Sequence, residues 1–306
     1  MSTVASAPMS GQHNTDPRRR RRGNFIVVEG LDRAGKSTQV DLLVQRFLRG
    51  DRFSSEHREG VSIAAQHQRD AGSQAPASHE EDGPTAEAVE KAIVYKFPDR
   101  TTPIGKMIDA YLQSQTDIDD RAIHLLFSAN RWEAMQRIKA ILSRGTTIIC
   151  DRYAFSGVAY SVSKSPSTPS STSVLPASAA LSYAWCRAPD SGLLQPDLVI
   201  FLDIAPDVAR QRGAYGAERY EREDMQRRVR EAFLVIQRDV TAAAHPLAWS
   251  TIDAGRSVDE VHEEMWQAVQ ACQLRSTQKA GSGTVDADEF DMSLFTHDPP
   301  RDSNHV

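Results

Sequence analysis

A glycine, four residues, then Gly-Lys-Ser form the most constraining stretch of this chain, Gly30-Leu-Asp-Arg-Ala-Gly-Lys-Ser-Thr38. It follows the apolar run Phe25-Ile-Val-Val28 and precedes a helical period, the strand-loop-helix context in which this pattern cradles phosphates. Gly30 and Gly35 let the backbone curl so that successive N–H groups point at phosphate oxygens. Lys36 adds a positive charge and Ser37 offers a hydroxyl to Mg2+. The helix that begins there turns its positive dipole end to the same oxygens. A Gly-rich turn between strand and helix is common, but the Lys-Ser pair with both flanks in register specifies a nucleotide site. Such loops serve kinases, GTPases and motor ATPases alike, so the reaction must be read elsewhere.

The apolar pattern then sets the fold class. Phe25 to Glu29, Ala92 to Phe97, Thr146 to Cys150, Leu198 to Leu202 and Ser250 to Ile252 read as strands. Val40, Leu43, Val44, Phe47 and Leu48 share one helical face that stops near Gly50. Ile104, Met107, Ile108, Tyr111 and Leu112 form another such face. Longer helices are expected over Asp119 to Ser143, Met225 to Val240 and Val258 to about Leu274, with one carrying Arg210 and Arg212 after the fourth strand. Strands alternating with helices predict α/β architecture, a five-stranded parallel sheet covered on both faces.

Composition marks the segments outside that pattern. Residues 1–22 are small and polar and end in Arg18 to Arg22, either a localisation or nucleic-acid patch or, more plainly, a solvated basic tail. Residues 54–90 and 162–180 are sparse in apolar residues and read as disordered insertions in a domain spanning 23–275. Residues 276–306 read as a loose polar tail. A net charge of -5 argues against a protein devoted to nucleic acid. Cys150, Cys186 and Cys272 have neither metal-ligand nor disulfide spacing, which suits a reducing, cytoplasmic setting, with a nuclear share left open by the arginine run. No apolar run is long enough to span a membrane, and no apolar segment follows the N-terminal charges as in a secretory signal.

Two further features carry chemistry. Asp151 ends an apolar strand, which puts its carboxylate at the sheet edge where α/β folds bind ligands and where it can hold Mg2+. Asp203 is its rival, with a helix N-cap as its plainer role. Arg33, Arg100, Arg131 and Arg152 sit at strand-to-helix junctions or on a helix face around the same crevice, and guanidinium groups grip phosphates with two parallel hydrogen bonds. Phe127 and Arg131, four apart, share a helical face and can grip one object together.

Five blocks in order now resemble the thymidylate kinases of the eukaryotic kind: GLDRAGKST, FPDRTTPIG at 97–105, HLLFSANRWE at 124–133, DRYAFSGVAYS at 151–161 and RGAYGAERYE at 212–221. The resemblance covers roughly 23–272 apart from the insertions and implies the P-loop nucleoside-monophosphate kinase fold with a lid. It implies transfer of the γ-phosphoryl of ATP to dTMP with Mg2+, giving dTDP in dTTP synthesis, with no nucleic-acid or membrane partner, by a homodimer. By that match Gly30 through Thr38 and Arg212 bind ATP, including Leu31 and Ala34. Asp32, Phe97, Pro98, Arg100, Phe127, Arg131, Arg152, Tyr160 and Tyr220 bind dTMP, with Phe127 stacked on the base and Arg131 at its edge. Arg33, Lys36, Arg152 and Asp32 serve the chemistry, and Ser37 and Asp151 the metal. The charge-poor lid block Gly213-Ala-Tyr-Gly-Ala-Glu218 goes, in the family, with an arginine such as Arg33 in the loop. His124 reads as a structural histidine. A GTP-driven switch would carry Asn-Lys-x-Asp, and no Asn here precedes Lys. A kinase for another monophosphate and a catalytically inert binding protein are the other readings; Lys36, Ser37, Arg33 and Asp151 all being in place speaks against the second.

Overall fold

The structure is a computed structural model that describes residues 21–50, 91–164, 181–212, 219–220, 222–243, 245–281 and 290–298. The expected insertion 54–90, residues 165–180 of the second insertion, and lid residues 213–218 lie outside the described residues.

Five parallel strands form one sheet: β1 (Phe25–Gly30), β2 (Ala92–Lys96), β3 (Thr147–Asp151), β4 (Leu198–Asp203) and β5 (Trp249–Asp253), in spatial order β2-β3-β1-β4-β5. Every residue of β1 is buried, as a strand flanked on both edges and covered on both faces requires. Around the sheet run α1 (Lys36–Arg49), α2 (Pro103–Leu112), α3 (Asp120–Ser143), α4 (Ala154–Val162), α5 (Tyr183–Arg187), α6 (Pro206–Gln211), α7 (Glu223–Ala242) and α8 (Val258–Gly281). The expected five-stranded parallel sheet is what forms, and strand ends differ by one residue or so. The short α5 and the 3-10 turn Ala188–Asp190 were not legible, since neither is long enough to show a period.

Local chemistry explains the helix ends that face the site. Gly35, at φ 89° just ahead of α1, brings no side-chain cap, and the first turn of α1 carries no acid. The N–H groups there are left for an anion. By contrast α2 is capped by Thr102, whose side chain accepts from the Gly105 N–H, with Pro103 at the first turn. Asp119 caps α3 through the N–H groups of Arg121 and Ala122.

Two expectations about the chain ends need correction. Arg22 is not part of a solvated tail: it donates from Nη1 and Nη2 to both carboxylate oxygens of Asp197, at 2.8 and 2.7 Å. Nor does a loose tail begin at Ser276. Helix α8 runs through to Gly281, and Asn24 donates to the Ser276 hydroxyl at 3.0 Å. Residues 290–298 pack back on the fold, with Leu294 and Phe295 in the main core. Residues 282–289 and 299–306 lie outside the described residues.

Candidate active site

Parallel register brings the site together. Val28 pairs with Asp151 in the sheet, so the loop after β1 and the turn after β3 emerge side by side at the carboxyl edge. A cavity of about 470 Å³ opens there. Its walls include Asp32, Arg33, Gly35, Lys36, Ser37 and Thr38 from the loop, Phe97, Pro98 and Arg100 after β2, and Phe127 and Arg131 from α3. Asp151, Arg152, Tyr160 and Tyr220 also line it. Gly30 closes β1 behind them. The side chains of Leu31 and Ala34 turn into the core, so only their backbone faces the loop's concavity. Arg212 stands beside the loop instead of in the cavity, donating to the Arg33 carbonyl at 3.3 Å and to the Ala254 carbonyl.

Charge is arranged tightly in this space. Lys36 is buried and donates to the Leu31 carbonyl at 2.6 Å. Burial, with Arg152 adding repulsion, lowers its ammonium to about 8. Asp32 accepts from Arg152 Nη2, from the Tyr160 hydroxyl at 2.9 Å and from Gln226 Nε2 at 2.8 Å, while its own N–H donates to Gln226 Oε1 at 3.1 Å. Burial pushes the Asp32 carboxyl up, but Arg152 and Lys36 override it and hold it below the ordinary value. The same balance holds for Asp151: burial opposes, and Lys36 and Arg152 prevail. Burial alone would weaken the Arg152 guanidinium, yet Tyr160, Asp32, Asp151 and Glu29 around it keep it charged. Its backbone sits at φ 69°, and Arg33 at φ 67°, both in the left-handed region that ordinary residues rarely occupy. Two such residues in contact with one cavity mark strained backbone gathered at a functional site.

Ser37 Oγ donates to Asp151 Oδ2 at 2.7 Å, and Asp151 Oδ1 is buried with no hydrogen-bond partner among the described residues. A hydroxyl and a carboxylate with one oxygen unsatisfied fit Mg2+, which takes one or two protein ligands beside phosphate and water. No cluster of three or more His, Cys, Asp or Glu able to hold a metal occurs among the described residues. Asp203, the rival acid, fills neither of its expected roles. Arg230 binds both its oxygens at 2.6 and 2.7 Å, and the N-cap of α6 is Ala205.

The acceptor side of the cavity combines the aromatic rings of Phe97 and Phe127 with the guanidinium groups of Arg100 and Arg131. Phe127 and Arg131 both reach it from α3, as their spacing predicts. Arg131 is held by Asp190, through Nε at 3.1 Å and Nη2 at 2.6 Å. Gly157 leaves room for it, since a Cβ there would come within 2.9 Å of both terminal guanidinium nitrogens and displace the head group. Arg100 Nη1 donates to Asp109 at 2.7 Å. Tyr220 meets Tyr160 at 5.5 Å between ring centres and exchanges a hydroxyl contact with Tyr111 at 3.2 Å. His124 is structural: buried, bonded to Ser161 Oγ and the Cys186 carbonyl, and lowered to about 4 by its burial.

Sequence reading missed three supports. Glu29, fully buried at the end of β1, accepts the N–H groups of Tyr153 and Ser156 and the Ser156 hydroxyl, capping α4 from another strand. Burial raises its carboxyl above the ordinary value, against those hydrogen bonds and Arg152. Gln226 ties α7 to Asp32, and Asp190 ties the turn after α5 to Arg131. A carboxylate inside a strand run was the one visible hint, for Glu29; the other two lie in unremarkable polar contexts.

A five-stranded parallel sheet, a phosphate loop with an uncapped helix behind it, and a cavity that the loop shares with Arg100, Arg131 and Arg152 define a P-loop nucleoside-monophosphate kinase. The sequence profile described as Thymidylate kinase matches residues 85–265. The thymidylate kinase of Schizosaccharomyces pombe is 40% identical over 84% of this chain and 96% of its own length. The human thymidylate kinase is 38% identical over 80% of this chain and 89% of its own. A solved structure of thymidylate kinase from Candida albicans superposes with a TM-score of 0.59 at 30% identity, covering 82% of this chain and 93% of that one. The chain belongs to the thymidylate kinase family.

Proposed function

We propose that the protein transfers the γ-phosphoryl group of ATP to dTMP, giving dTDP and ADP, a step toward dTTP. The observation that carries this reading is the single cavity in which the phosphate loop and the Phe127–Arg131 pair face one space. ATP phosphates lie in the loop against Gly30, Gly35, Lys36, Ser37 and Thr38, with backbone N–H groups of Leu31, Asp32, Arg33 and Ala34 around them and Arg212 toward the adenine. Phe127 stacks on the thymine and Arg131 meets its edge. Arg100 and Arg152 take the acceptor phosphate beside Phe97 and Pro98. Asp32 and Tyr160 face the deoxyribose, and Tyr220 closes over it; their crowding disfavours a 2′-hydroxyl.

An oxygen of the acceptor phosphate attacks the γ-phosphorus in line, the bond to the β-bridging oxygen breaks, and ADP departs with that oxygen's electron pair. The acceptor is already ionised near neutral pH, so a strong general base is not needed, which agrees with His124 being buried and neutral. Catalysis is positioning and charge stabilisation. Arg152 bridges the phosphates from a fixed place, and Arg33 stabilises charge on the migrating group from within the loop. Ser37 and Asp151 would hold Mg2+, which would supply positive charge to the donor phosphates.

Three coarser features support the setting. Cys150, Cys186 and Cys272 are free and buried, which suits a reducing, cytoplasmic compartment. No described helix is long and apolar enough to cross a membrane. Leu125 and Trp132, half exposed and seven apart on α3, offer the apolar face of a homodimer. ADP release measured with dTMP, dUMP, dCMP, AMP and GMP tests the acceptor, with kcat/KM highest for dTMP. Equal values for dTMP and AMP refute it.

A further inference from the structure

Residues 290–298 pack against the stretch that carries Asp190, the partner of the pocket residue Arg131. Leu294 and Phe295 are 1% and 5% exposed, so this segment is packed as core. Its backbone runs against the stretch that carries Asp190. Gly192 N–H donates to the Leu294 carbonyl at 2.9 Å, Leu294 N–H to the Leu193 carbonyl at 3.4 Å, and Gln195 N–H to the Asp291 carbonyl at 2.7 Å. Two side chains add to this ladder: Ser191 Oγ donates to the Phe295 carbonyl at 2.9 Å and Arg187 Nη2 to the His297 carbonyl at 2.8 Å. The Phe295 ring stands edge-on to Phe155 of α4, 5.7 Å between centres, and His297 meets Asp239 of α7 at 3.0 Å. The segment therefore joins α4, α7 and the 187–195 stretch at one place.

Within that stretch Asp190 is fully buried and accepts from Arg131 twice and from Ser128 Oγ at 2.7 Å. A buried guanidinium with no anion beside it would be an uncompensated charge, so where Asp190 goes, Arg131 goes. Two hydrogen bonds to one carboxylate also fix the plane of the guanidinium, which sets how its remaining edge meets a base.

We propose that Asp190 is a positioning residue for Arg131, and that the C-terminal strap Phe290–Asp298 holds Asp190 in place and so sets affinity for the acceptor base. This rests on the reading of Arg131 as the contact to the edge of thymine. The strap lies outside residues 85–265 that the sequence profile matches. Among the described residues its hydrogen bonds to the rest of the chain and its aromatic pairing go to the 187–195 stretch, α7 and α4, with none to the phosphate loop or Asp151. Its effect is confined to the acceptor side.

The test uses the full chain with Arg131→Ala, Asp190→Asn, Phe295→Ala and the double variant Arg131→Ala/Phe295→Ala, each checked by thermal unfolding. Arg131→Ala and Asp190→Asn are expected to raise the dTMP KM about tenfold or more, and Phe295→Ala about fivefold, within the coupling seen inside one network. The ATP KM stays within about twofold of the parent, and Phe295→Ala adds nothing once Arg131 is gone. If Phe295→Ala does not fold, Ser191→Ala removes one strap contact while leaving the apolar packing, and carries the same comparison at smaller amplitude. A folded strap variant with parental dTMP KM, or full additivity in the double variant, overturns the strap's role and leaves the reading of Arg131 intact. A parental dTMP KM for Arg131→Ala overturns that reading itself, and the strap's role with it.

Discussion

Arg152, in a left-handed backbone conformation just after β3, donates from Nη2 to Asp32 inside the phosphate loop 120 residues earlier in the chain. The pair joins the two loops that emerge at the sheet edge, and Tyr160 and Gln226 complete the carboxylate's shell. Asp32 is thus as much the holder of Arg152 as a contact for the sugar.

Removing only that charge should therefore misplace the arginine without emptying the space. Asp32→Asn is expected to lower kcat/KM for dTMP about a hundredfold, the scale of a small misplacement of a positioned group. Gln226→Ala, which strips a neutral neighbour, should cost about tenfold less than that. Steady-state kinetics on both variants check the order; a Gln226→Ala defect as large as that of Asp32→Asn contradicts it.

Lys36 gives a pH dependence whose sign can be worked out. Its ammonium is lowered to about 8 by burial in the ligand-free protein. Phosphate beside it favours the charged form, so the complex keeps its proton to higher pH than the free protein does. Affinity for ATP is full below about 8 and falls as pH rises above it, by up to about tenfold per unit until the bound-state value is reached. Titration calorimetry at pH 7 and 9, in buffers of differing ionisation heat, should show proton uptake on binding at the higher pH. Equal affinity and no proton uptake at pH 9 would refute the assignment.

Much of this fold was legible in the sequence, because strand and helix identity is local. The alternation of Phe25–Val28, Thr147–Cys150 and Leu198–Leu202 with helical stripes sufficed for the sheet. Phe127 and Arg131 were legible as partners because four residues on a helix make neighbours. Asp190 and Gln226 were not, since they meet Arg131 and Asp32 across 59 and 194 residues and nothing local distinguishes them from solvated polar residues. The C-terminal strap did leave a signal. Phe290, Met292 and Leu294 alternate with polar residues, a period-two pattern hidden by the Gly, Ser and Asp around it.

The same tertiary effect explains Arg22. As the last of five arginines it resembles a solvated charge, but Asp197 accepts two hydrogen bonds from it and also the Phe25 N–H at 2.7 Å, pinning the start of the central strand. Arg22→Ala is expected to cost about 1–3 kcal/mol of stability, as for a hydrogen-bonded charge removed from a partly buried partner. Urea unfolding would show a lower midpoint with kcat little changed. An unchanged midpoint returns Arg22 to the solvated tail.

The backbone of Arg33 allows the phosphate-loop arginine to be tested without disturbing the loop. At φ 67° the position suits glycine better than alanine, so Arg33→Gly removes the guanidinium while keeping the turn. A fixed guanidinium on the migrating phosphoryl group is worth on the order of 10³–10⁵ in kcat. Arg33→Gly should therefore lose roughly that factor in kcat while the dTMP KM changes much less, the pattern of an interaction made in the transition state. Arg33→Lys should recover little, because a point charge lacks the planar fork that spans two oxygens. Comparing Arg33→Gly with Arg33→Ala separates the two contributions, since any further loss in alanine reports strain at the left-handed position. A kcat for Arg33→Gly within about tenfold of the parent, far short of what such a residue supplies elsewhere, would place the charge-stabilising group outside the loop.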